Sequence, residues 1–432
     1  MSIDTLYLPF ARSCRGRVTL PGSKSIANRA LLLAALAHGE TRLENMLLSE
    51  DTQRMREALE LLGVSIQVIE EATSVRVQGN AGLFQKAQPE TLFLGNAGTA
   101  MRPLAAILAG STGDFTLTGE PRMYERPIGP QINALRQMGA AVEYLGDAGF
   151  PPLRIQGKPL TGGYIELDGS LSSQYVSAIL MLLPLLTHDS ELRLTGDIVS
   201  APYINLTIAM MRSFGVEVST QAVGHYSVRG GQQYQSPGVY WIEGDASSAS
   251  YFLAAAAIGG GPVTVEGVGS ASLQGDKAFA EVLAAMGADV TYHERSITVQ
   301  AGMDLVGGDF DLNAIPDAAM TIATTVLFAN GSTRIRNIYN WRLKETDRLH
   351  AMATELRKTG ATVEEGEDFI CITPPSELKH AQIATYDDHR MAMCFSLLTF
   401  APCGVTIEDP ECCRKTFPHY FALFQSLLKN AT

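Results

Sequence analysis

Gly95-Asn96-Ala97-Gly98-Thr99-Ala100-Met101-Arg102-Pro103 joins an apolar run at 92–94 to a second at 104–108 through residues that favour exposed backbone. Two glycines let the main chain approach a ligand, and Thr99 or Asn96 is placed to cap the helix that follows. A helix entered this way aims free N–H groups and the positive end of its dipole forward, which suits an anion. Alone, the stretch reads more readily as a glycine-rich turn. Repetition decides, because six times a polar loop runs straight into a nearly pure apolar segment. Gly22-Ser23-Lys24-Ser25 precedes 30–37, the quoted stretch is the second, and Gly169-Ser170-Leu171-Ser172-Ser173-Gln174 precedes 176–186. Gly244-Asp245-Ala246-Ser247-Ser248 then precedes 251–258, Ile315-Pro316-Asp317 precedes 318–329, and Asp387-Asp388-His389-Arg390 precedes 391–400. Helices apolar on all sides are buried, so their polar front ends are expected to surface together.

A second motif runs in step. Amphipathic segments end in Gly63, Gly139, Gly215, Gly287 and Gly360, each followed by a strand pattern, at intervals of 76, 76, 72 and 73 residues. Glycine there fits the left-handed position that closes a helix. A sixth amphipathic segment, 420–428, ends the chain without its strand. The chain therefore reads as an α/β protein of six βαβα-containing units, each giving one buried and one half-exposed helix. The period exceeds the roughly 20–50 residues of solenoids, which favours compact lobes.

With 432 residues, 46% of them apolar, the chain has enough material for two or three large cores. A formal net charge of −12 argues against nucleic acid or an anionic membrane as the main partner. No apolar run approaches the roughly 20 residues of a membrane span; 176–186 is short and holds Pro184. No apolar signal core follows the first residues, so a cytoplasmic protein is expected. The six cysteines show no metal-ligand spacing, even the adjacent Cys412 and Cys413, and read as reduced structural thiols. No nucleophile constellation, metal site or dinucleotide fingerprint is present, and Gly259-Gly260-Gly261-Pro262 ends a helix instead of opening one. No cofactor is expected.

Near the N-terminus a short strand pattern, 17–20, follows the basic cluster Arg12, Arg15 and Arg17, which reads as solvated surface. Lys24 and Arg29 then stand at the mouth of a buried helix, where cations oppose the dipole. An anion between them removes that conflict. The loop lacks the spaced glycine of the P-loop, so it does not imply a nucleotide.

Three stretches carry a family resemblance: Pro21-Gly22-Ser23-Lys24-Ser25, Leu94-Gly95-Asn96-Ala97-Gly98-Thr99-Ala100-Met101-Arg102-Pro103 and Lys344-Glu345-Thr346-Asp347-Arg348-Leu349. Together they resemble the signatures of the 5-enolpyruvylshikimate-3-phosphate synthases, the 3-phosphoshikimate 1-carboxyvinyltransferases, over essentially the whole chain. The resemblance implies a two-lobed inside-out α/β barrel of the enolpyruvyl transferase type. It has six βαβαββ repeats, three per lobe, with helices inside and sheets outside. One lobe would be 1–21 plus 242–432, closed by the N-terminal strand, the other 22–241, with the active site in the cleft between them. The implied reaction transfers the enolpyruvyl group of phosphoenolpyruvate to the 5-hydroxyl of shikimate 3-phosphate. Phosphate leaves by addition and elimination, in the pathway to chorismate and the aromatic amino acids. A monomer is expected, with glyphosate as competitive inhibitor at the phosphoenolpyruvate site.

The resemblance also implies site residues. Shikimate 3-phosphate falls to Lys24, Ser25, Arg29, Ser172, Ser173, Gln174, Ser200, Asp317, Asn340 and Lys344. Phosphoenolpyruvate falls to Lys24, Gly98, Arg126, Gln174, Arg348, Arg390 and Lys415. The two substrates together bring a charge of about −5 to −6 if each phosphate carries about −1.5 to −2, so an acidic protein must gather cations locally. Gly98 matters through its missing methyl group, which would intrude on the small ligand. Some of these positions also have plainer readings. Ser172-Ser173-Gln174 at a helix start fits simple capping. Lys344 and Arg348, four apart, share a helical face, with Glu345 and Asp347 as neutralising neighbours.

The chemistry needs a base for the hydroxyl and an acid for the methylene carbon of phosphoenolpyruvate. Asp317, which opens an apolar helix as either N-cap or catalyst, is the candidate base. Glu345 and Lys24 are candidates for proton traffic at the methylene and the bridging oxygen. His389 fits either a proton carrier or a structural hydrogen bond to its neighbours. The sister transferase acting on UDP-N-acetylglucosamine carries a loop cysteine, and Gly119-Glu120-Pro121-Arg122-Met123-Tyr124-Glu125-Arg126-Pro127 has none. A non-catalytic anion-binding protein would use the same arginines without needing Asp317 or Glu345.

Overall fold

Each of the six apolar segments is a helix with almost no exposed side in the computed structural model, which describes residues 4–69 and 73–430. The helices are α1 (Lys24–Leu36), α2 (Glu50–Leu61), α3 (Gly98–Gly110), α4 (Gly129–Gln137), α5 (Ser173–Leu182) and α6 (Ala201–Ser213). They continue with α7 (Ala246–Gly259), α8 (Phe279–Met286), α9 (Pro316–Thr325), α10 (Arg348–Lys358), α11 (His389–Phe395) and α12 (Tyr420–Leu427). The odd-numbered ones are the buried set. In α3 only Thr99 escapes full burial, in α5 only Gln174 and in α9 only Asp317, all in the first turn. The all-round apolar sequence of each helix thus buries its body and leaves its polar start accessible.

The even-numbered helices carry one apolar face, and the first five of them stop where the glycines stand. Gly63, Gly139, Gly215, Gly287 and Gly360 have φ of +98°, +91°, +79°, +115° and +94°. In four of them the next residue's N–H returns to the last helical turn: Val64 to Leu59, Ala140 to Leu135, Val216 to Met211 and Ala288 to Leu283, at 3.0–3.1 Å. That 6→1 bond reverses the chain and sends it into a strand.

Six sheets share one pairing scheme, a parallel first pair followed by antiparallel neighbours. The first three run Val239–Trp241, Glu40–Glu44, Ser74–Gln78, Ser65–Ile69; then Glu90–Phe93, Gly113–Thr118, Leu153–Gly157, Ala141–Tyr144; then Gly163–Asp168, Ser190–Thr195, His225–Val228, Ser219–Ala222. The fourth runs Ala11–Thr19, Gly260–Glu266, Ser296–Gln300, Asp289–Tyr292, with Leu428–Asn430 added as a fifth strand on the free edge of Ala11–Thr19, and the fifth sheet runs Asp309–Asp311, Thr333–Arg336, Phe369–Thr373, Thr362–Glu365. The sixth has three strands, Gln382–Ile383, Val405–Glu408 and Thr5–Leu8. Register is set by alternation: in the third sheet Ile165 faces Leu192 and Leu167 faces Leu194, placing the apolar set on one side.

The chain divides into two compact units, Gly22–Ile242 and Met1–Pro21 with Glu243–Thr432. The first is called the inserted unit here and the second the terminal unit. Each has its own apolar core. In the inserted unit α3 packs against α1 and α5; in the terminal unit α9 packs against α7 and α11. No helix among the described residues is long and apolar enough to cross a membrane.

Three local expectations are corrected. The N-terminal strand is Ala11–Thr19, so Arg12, Arg15 and Arg17 lie on the exposed face of a strand whose Cys14 and Val18 point inward. The chain does not end at its last helix: Leu428–Asn430 pairs antiparallel with Ala11–Thr19. Neither Asn96 nor Thr99 caps α3, whose N-cap is Ala97, because both side chains are engaged elsewhere.

Candidate active site

In the inserted unit the starts of the buried helices are tied to one another. Asn28 Nδ2 of α1 donates to Thr99 Oγ1 of α3 at 2.6 Å. Arg29 Nε of α1 donates to Thr207 Oγ1 of α6 at 2.8 Å, and that hydroxyl donates to Ser177 Oγ of α5 at 2.9 Å. Arg29 Nη1 bonds the carbonyl of Ser25 at 2.9 Å. Arg29 is buried, and burial pulls its guanidinium down to about 10, opposed in part by Tyr203 and Tyr240. Among the described residues it has no carboxylate partner.

Lys24, the first residue of α1, pairs with Asp51 of α2 at 3.0 Å. The expected conflict with the helix dipole is thus met inside the protein, by a residue the sequence did not single out. Ahead of α3, Arg126 closes the 3-10 turn Pro121–Glu125 and donates through Nη1 to both Asn96 O and Asn96 Oδ1 at 2.8 Å. A buried guanidinium is a stronger claimant on Asn96 than a helix N–H. A methyl group on Gly98 would sit 2.8 Å from Arg102 Nη1, 2.8 Å from Arg126 Nη2 and 3.2 Å from Gln174 Oε1. Gly98 is therefore walled by two guanidinium groups and an amide. Ser172 does cap α5, accepting from Gln174 N–H at 3.2 Å, so the capping reading holds there beside half-buried Gln174. Ser173 is buried, and Ser200 stands at the N-cap position of α6 with a left-handed φ of 54°, without a side-chain capping bond.

In the terminal unit the first turns of α9, α10 and α11 meet at Asp317. Asp317 Oδ1 lies 3.3 Å from Lys344 Nζ and 2.9 Å from Arg348 Nη1; Oδ2 lies 3.0 Å from Arg390 Nη2. Asp317 is not the N-cap of α9, which is Ile315, and the ion pairs are what it serves. Burial alone would raise its carboxyl, but Arg390, Lys344 and Arg348 hold it well below the usual carboxylate range. Arg348 spans the cluster, reaching Asp388 through Nε at 2.7 Å and Glu345 through Nη2 at 2.9 Å. Its guanidinium is raised despite burial, by Asp388, Glu345 and Asp317. Arg390 Nη1 also donates to Tyr251 Oη at 3.1 Å. Trp341 Nε1 bonds Pro316 O at 2.7 Å and fixes the start of α9, next to buried Asn340.

Lys344 and Arg348 do not share a helical face. α10 begins at Arg348 with Asp347 as its N-cap, so Lys344 lies outside the helix, and the two cations instead converge on one oxygen. Nor is the pair a solvated face: Arg348 is 1% exposed and Lys344 half-buried. Lys415 ends the turn Pro410–Lys415 packed on α11 and is buried without a carboxylate partner among the described residues. His389 is buried with Nδ1 3.7 Å from Asp388 Oδ1. The cysteines are free, and burial pushes Cys14 and Cys394 up to about 12, which makes them inert.

The geometry separates two classes of buried or half-buried cation. Lys24, Lys344, Arg348 and Arg390 hold carboxylates, whereas Arg29, Arg126 and Lys415 hold none among the described residues. Sequence reasoning missed the roles of Asp51, Thr207, Tyr251 and Asp388, each of which bonds a residue it did find, and of Arg102, which walls Gly98.

A family model described as EPSP synthase (3-phosphoshikimate 1-carboxyvinyltransferase) matches residues 11–424. The chain belongs to the EPSP synthase family. A 3-phosphoshikimate 1-carboxyvinyltransferase of a Sulfurovum strain is 56% identical, covering 98% of this chain and 99% of its own. One from Escherichia coli is 58% identical over 96% of each. Among solved structures, an EPSP synthase from Acinetobacter baumannii superposes with a TM-score of 0.81 at 27% identity, covering 99% of this chain and 98% of that one. The two-lobed α/β fold of the EPSP synthases is thus the fold of this chain.

Proposed function

We propose that this chain transfers the enolpyruvyl group of phosphoenolpyruvate to the 5-hydroxyl of shikimate 3-phosphate and releases phosphate, a step toward chorismate and the aromatic amino acids. The observation that carries the mechanism is the clasp of Asp317 by Lys344, Arg348 and Arg390. In this reading one pair of substrates engages residues of both units. Arg29, Lys24, Ser25, Ser172, Ser173, Gln174, Ser200, Asn340 and Lys344 hold shikimate 3-phosphate, and Arg126, Gly98, Arg348, Arg390 and Lys415 hold phosphoenolpyruvate. Arg29, Arg126 and Lys415 support it most directly, since a buried cation lacking an internal anion favours a phosphate or carboxylate ligand.

A carboxylate clasped by three cations is ionised but weakly basic. When the anions of phosphoenolpyruvate draw Arg348 and Arg390 toward themselves, and shikimate 3-phosphate draws Lys344, Asp317 loses part of its counter-charge and its basicity rises. It then accepts the proton of the 5-hydroxyl as that oxygen bonds to C2 of phosphoenolpyruvate and the methylene carbon gains a proton. In the second half the C2–O bond to phosphate breaks and a proton leaves the methyl carbon, restoring the double bond. Glu345 and Lys24 serve these proton transfers, at the methylene carbon and at the bridging oxygen. Glyphosate, an anion of similar size, fits the same cations.

The deciding assay is phosphate release. Release from phosphoenolpyruvate is expected only when shikimate 3-phosphate is also present. Release supported instead by UDP-N-acetylglucosamine, or tight binding of both ligands without turnover, would overturn the reading.

A further inference from the structure

One fully buried carboxylate of the terminal unit has no part in the function just described. Glu355 of α10 accepts the Ala384 N–H through Oε2 at 3.1 Å and the Tyr386 hydroxyl through Oε1 at 2.7 Å. Lys358 pairs with the same carboxylate at 2.6 Å and bonds Gln382 O at 3.1 Å. Glu355 follows Arg348 by seven positions, about two turns, so both lie on one face of α10. Arg348 grips Asp388. One helix face therefore holds the segment 382–388 at both ends.

Between the two grips the backbone is strained. Tyr386 and Asp387 have φ of +55° and +54°, the left-handed region that side chains disfavour, at two successive residues. Such conformations persist where the surroundings over-determine them, and they collect at functional sites. Here the strained pair leads directly into Asp388, which caps α11 by accepting the Arg390 N–H at 2.9 Å. The Arg390 guanidinium then reaches Asp317 and Tyr251. Burial and the Glu355 carboxylate both raise the Tyr386 hydroxyl above its usual value, so it remains a donor.

We propose that Glu355 and Tyr386 are positioning residues for the transfer reaction: by holding 384–387 in its left-handed turn they aim Arg390 at the anion of phosphoenolpyruvate. This rests on the reading of Arg390 as a phosphoenolpyruvate ligand. Neither residue touches substrate, so the expected signature is a change in one KM and not a general loss.

The test is steady-state kinetics on the full chain with Tyr386→Phe, Glu355→Gln and Arg390→Lys, alongside binary binding of shikimate 3-phosphate and thermal melts. Tyr386→Phe, which removes one hydroxyl from a partly exposed ring, is expected to fold even if Glu355→Gln does not. It should raise the KM for phosphoenolpyruvate about tenfold, the scale of one hydrogen bond to a charged group, and leave shikimate 3-phosphate affinity unchanged. If Arg390→Lys raises that KM and Tyr386→Phe does not, the positioning role is refuted. It is equally refuted if Tyr386→Phe only lowers Tm, or weakens both substrates alike. If Arg390→Lys leaves the KM unchanged, the reading beneath the inference fails instead, and the inference with it.

Discussion

Gly98→Ala tests the phosphoenolpyruvate assignment most sharply, because the added methyl group has nowhere to go without moving polar atoms. Its Cβ would lie 2.8 Å from Arg102 Nη1, 2.8 Å from Arg126 Nη2 and 3.2 Å from Gln174 Oε1, against the roughly 3.5 Å that non-bonded heavy atoms prefer. Each guanidinium must retreat by about 0.5–1 Å to restore that separation. Arg126 retreats against its bonds to Asn96, both 2.8 Å, so its aim changes as well as its place. Losing one charge-assisted hydrogen bond to an anion costs about 1.5–3 kcal/mol, which is roughly 10- to 150-fold in affinity. The fold itself should tolerate the change. Gly98 is the first residue of α3 and its φ is not left-handed, and alanine is the better helix former by about 1 kcal/mol at most. The expected outcome is a KM for phosphoenolpyruvate raised at least about tenfold, glyphosate inhibition weakened in parallel, and shikimate 3-phosphate binding and Tm nearly unchanged. Steady-state kinetics, inhibitor titration and a thermal melt read all four. An unchanged KM for phosphoenolpyruvate, or equal losses for both substrates, would refute the assignment.

Asp317→Ala is expected to cut kcat by two orders of magnitude or more, a typical scale for general base catalysis, with a much smaller change in either substrate's affinity; retained kcat removes Asp317 from the base role. Arg29→Met should leave Tm equal or higher, since a buried cation without a carboxylate partner is replaced by an apolar chain. It should also weaken shikimate 3-phosphate by roughly 10-fold or more, so a lower Tm with intact affinity would contradict the reading. Acid stability follows from the depressed carboxyl of Asp317: its contribution is full above the unfolded value near pH 4 and fades as pH falls toward the folded value. The stability gap between the native chain and Asp317→Asn, in urea melts at several pH values, should therefore narrow below about pH 4; a gap independent of pH would show that the ion pairs do not carry it.

What the sequence made legible was local. An all-apolar segment behind a polar loop, and a glycine closing an amphipathic helix, are signals within about a dozen residues, and they returned the six buried helices and the five reversals. What stayed illegible was pairing across the chain. Lys24 with Asp51, Arg348 with Asp388 and Arg390 with Tyr251 lie 27, 40 and 139 residues apart, and no local pattern says which carboxylate or hydroxyl meets which cation. Lys344 and Arg348 were misread for a local reason: Asp347 caps α10 through the His350 N–H, so the helix starts after Lys344 and four-residue spacing loses its meaning. Asn96 has the chemistry of a cap, and only the buried Arg126 side chain, thirty positions on, explains why it is not one.

The division between bare and clasped cations bears on how a net-acidic protein manages two anionic substrates. An anion reaching Arg29 or Arg126 meets no carboxylate paired with it among the described residues, and Arg29, with its guanidinium pulled down by burial, is relieved by any negative partner. An anion reaching Arg348 or Arg390 competes with Asp317, Glu345 and Asp388, already within 3.0 Å of those guanidinium groups. Without substrate the clasp keeps buried Arg348 and Arg390 and half-buried Lys344 neutralised, so the terminal unit avoids the desolvation cost of bare charge. In the proposed mechanism the same exchange, with substrate bound, frees Asp317 just as a base is needed. Binding of phosphoenolpyruvate and activation of the base are then one electrostatic event, and weakening the clasp by substitution should disturb both together.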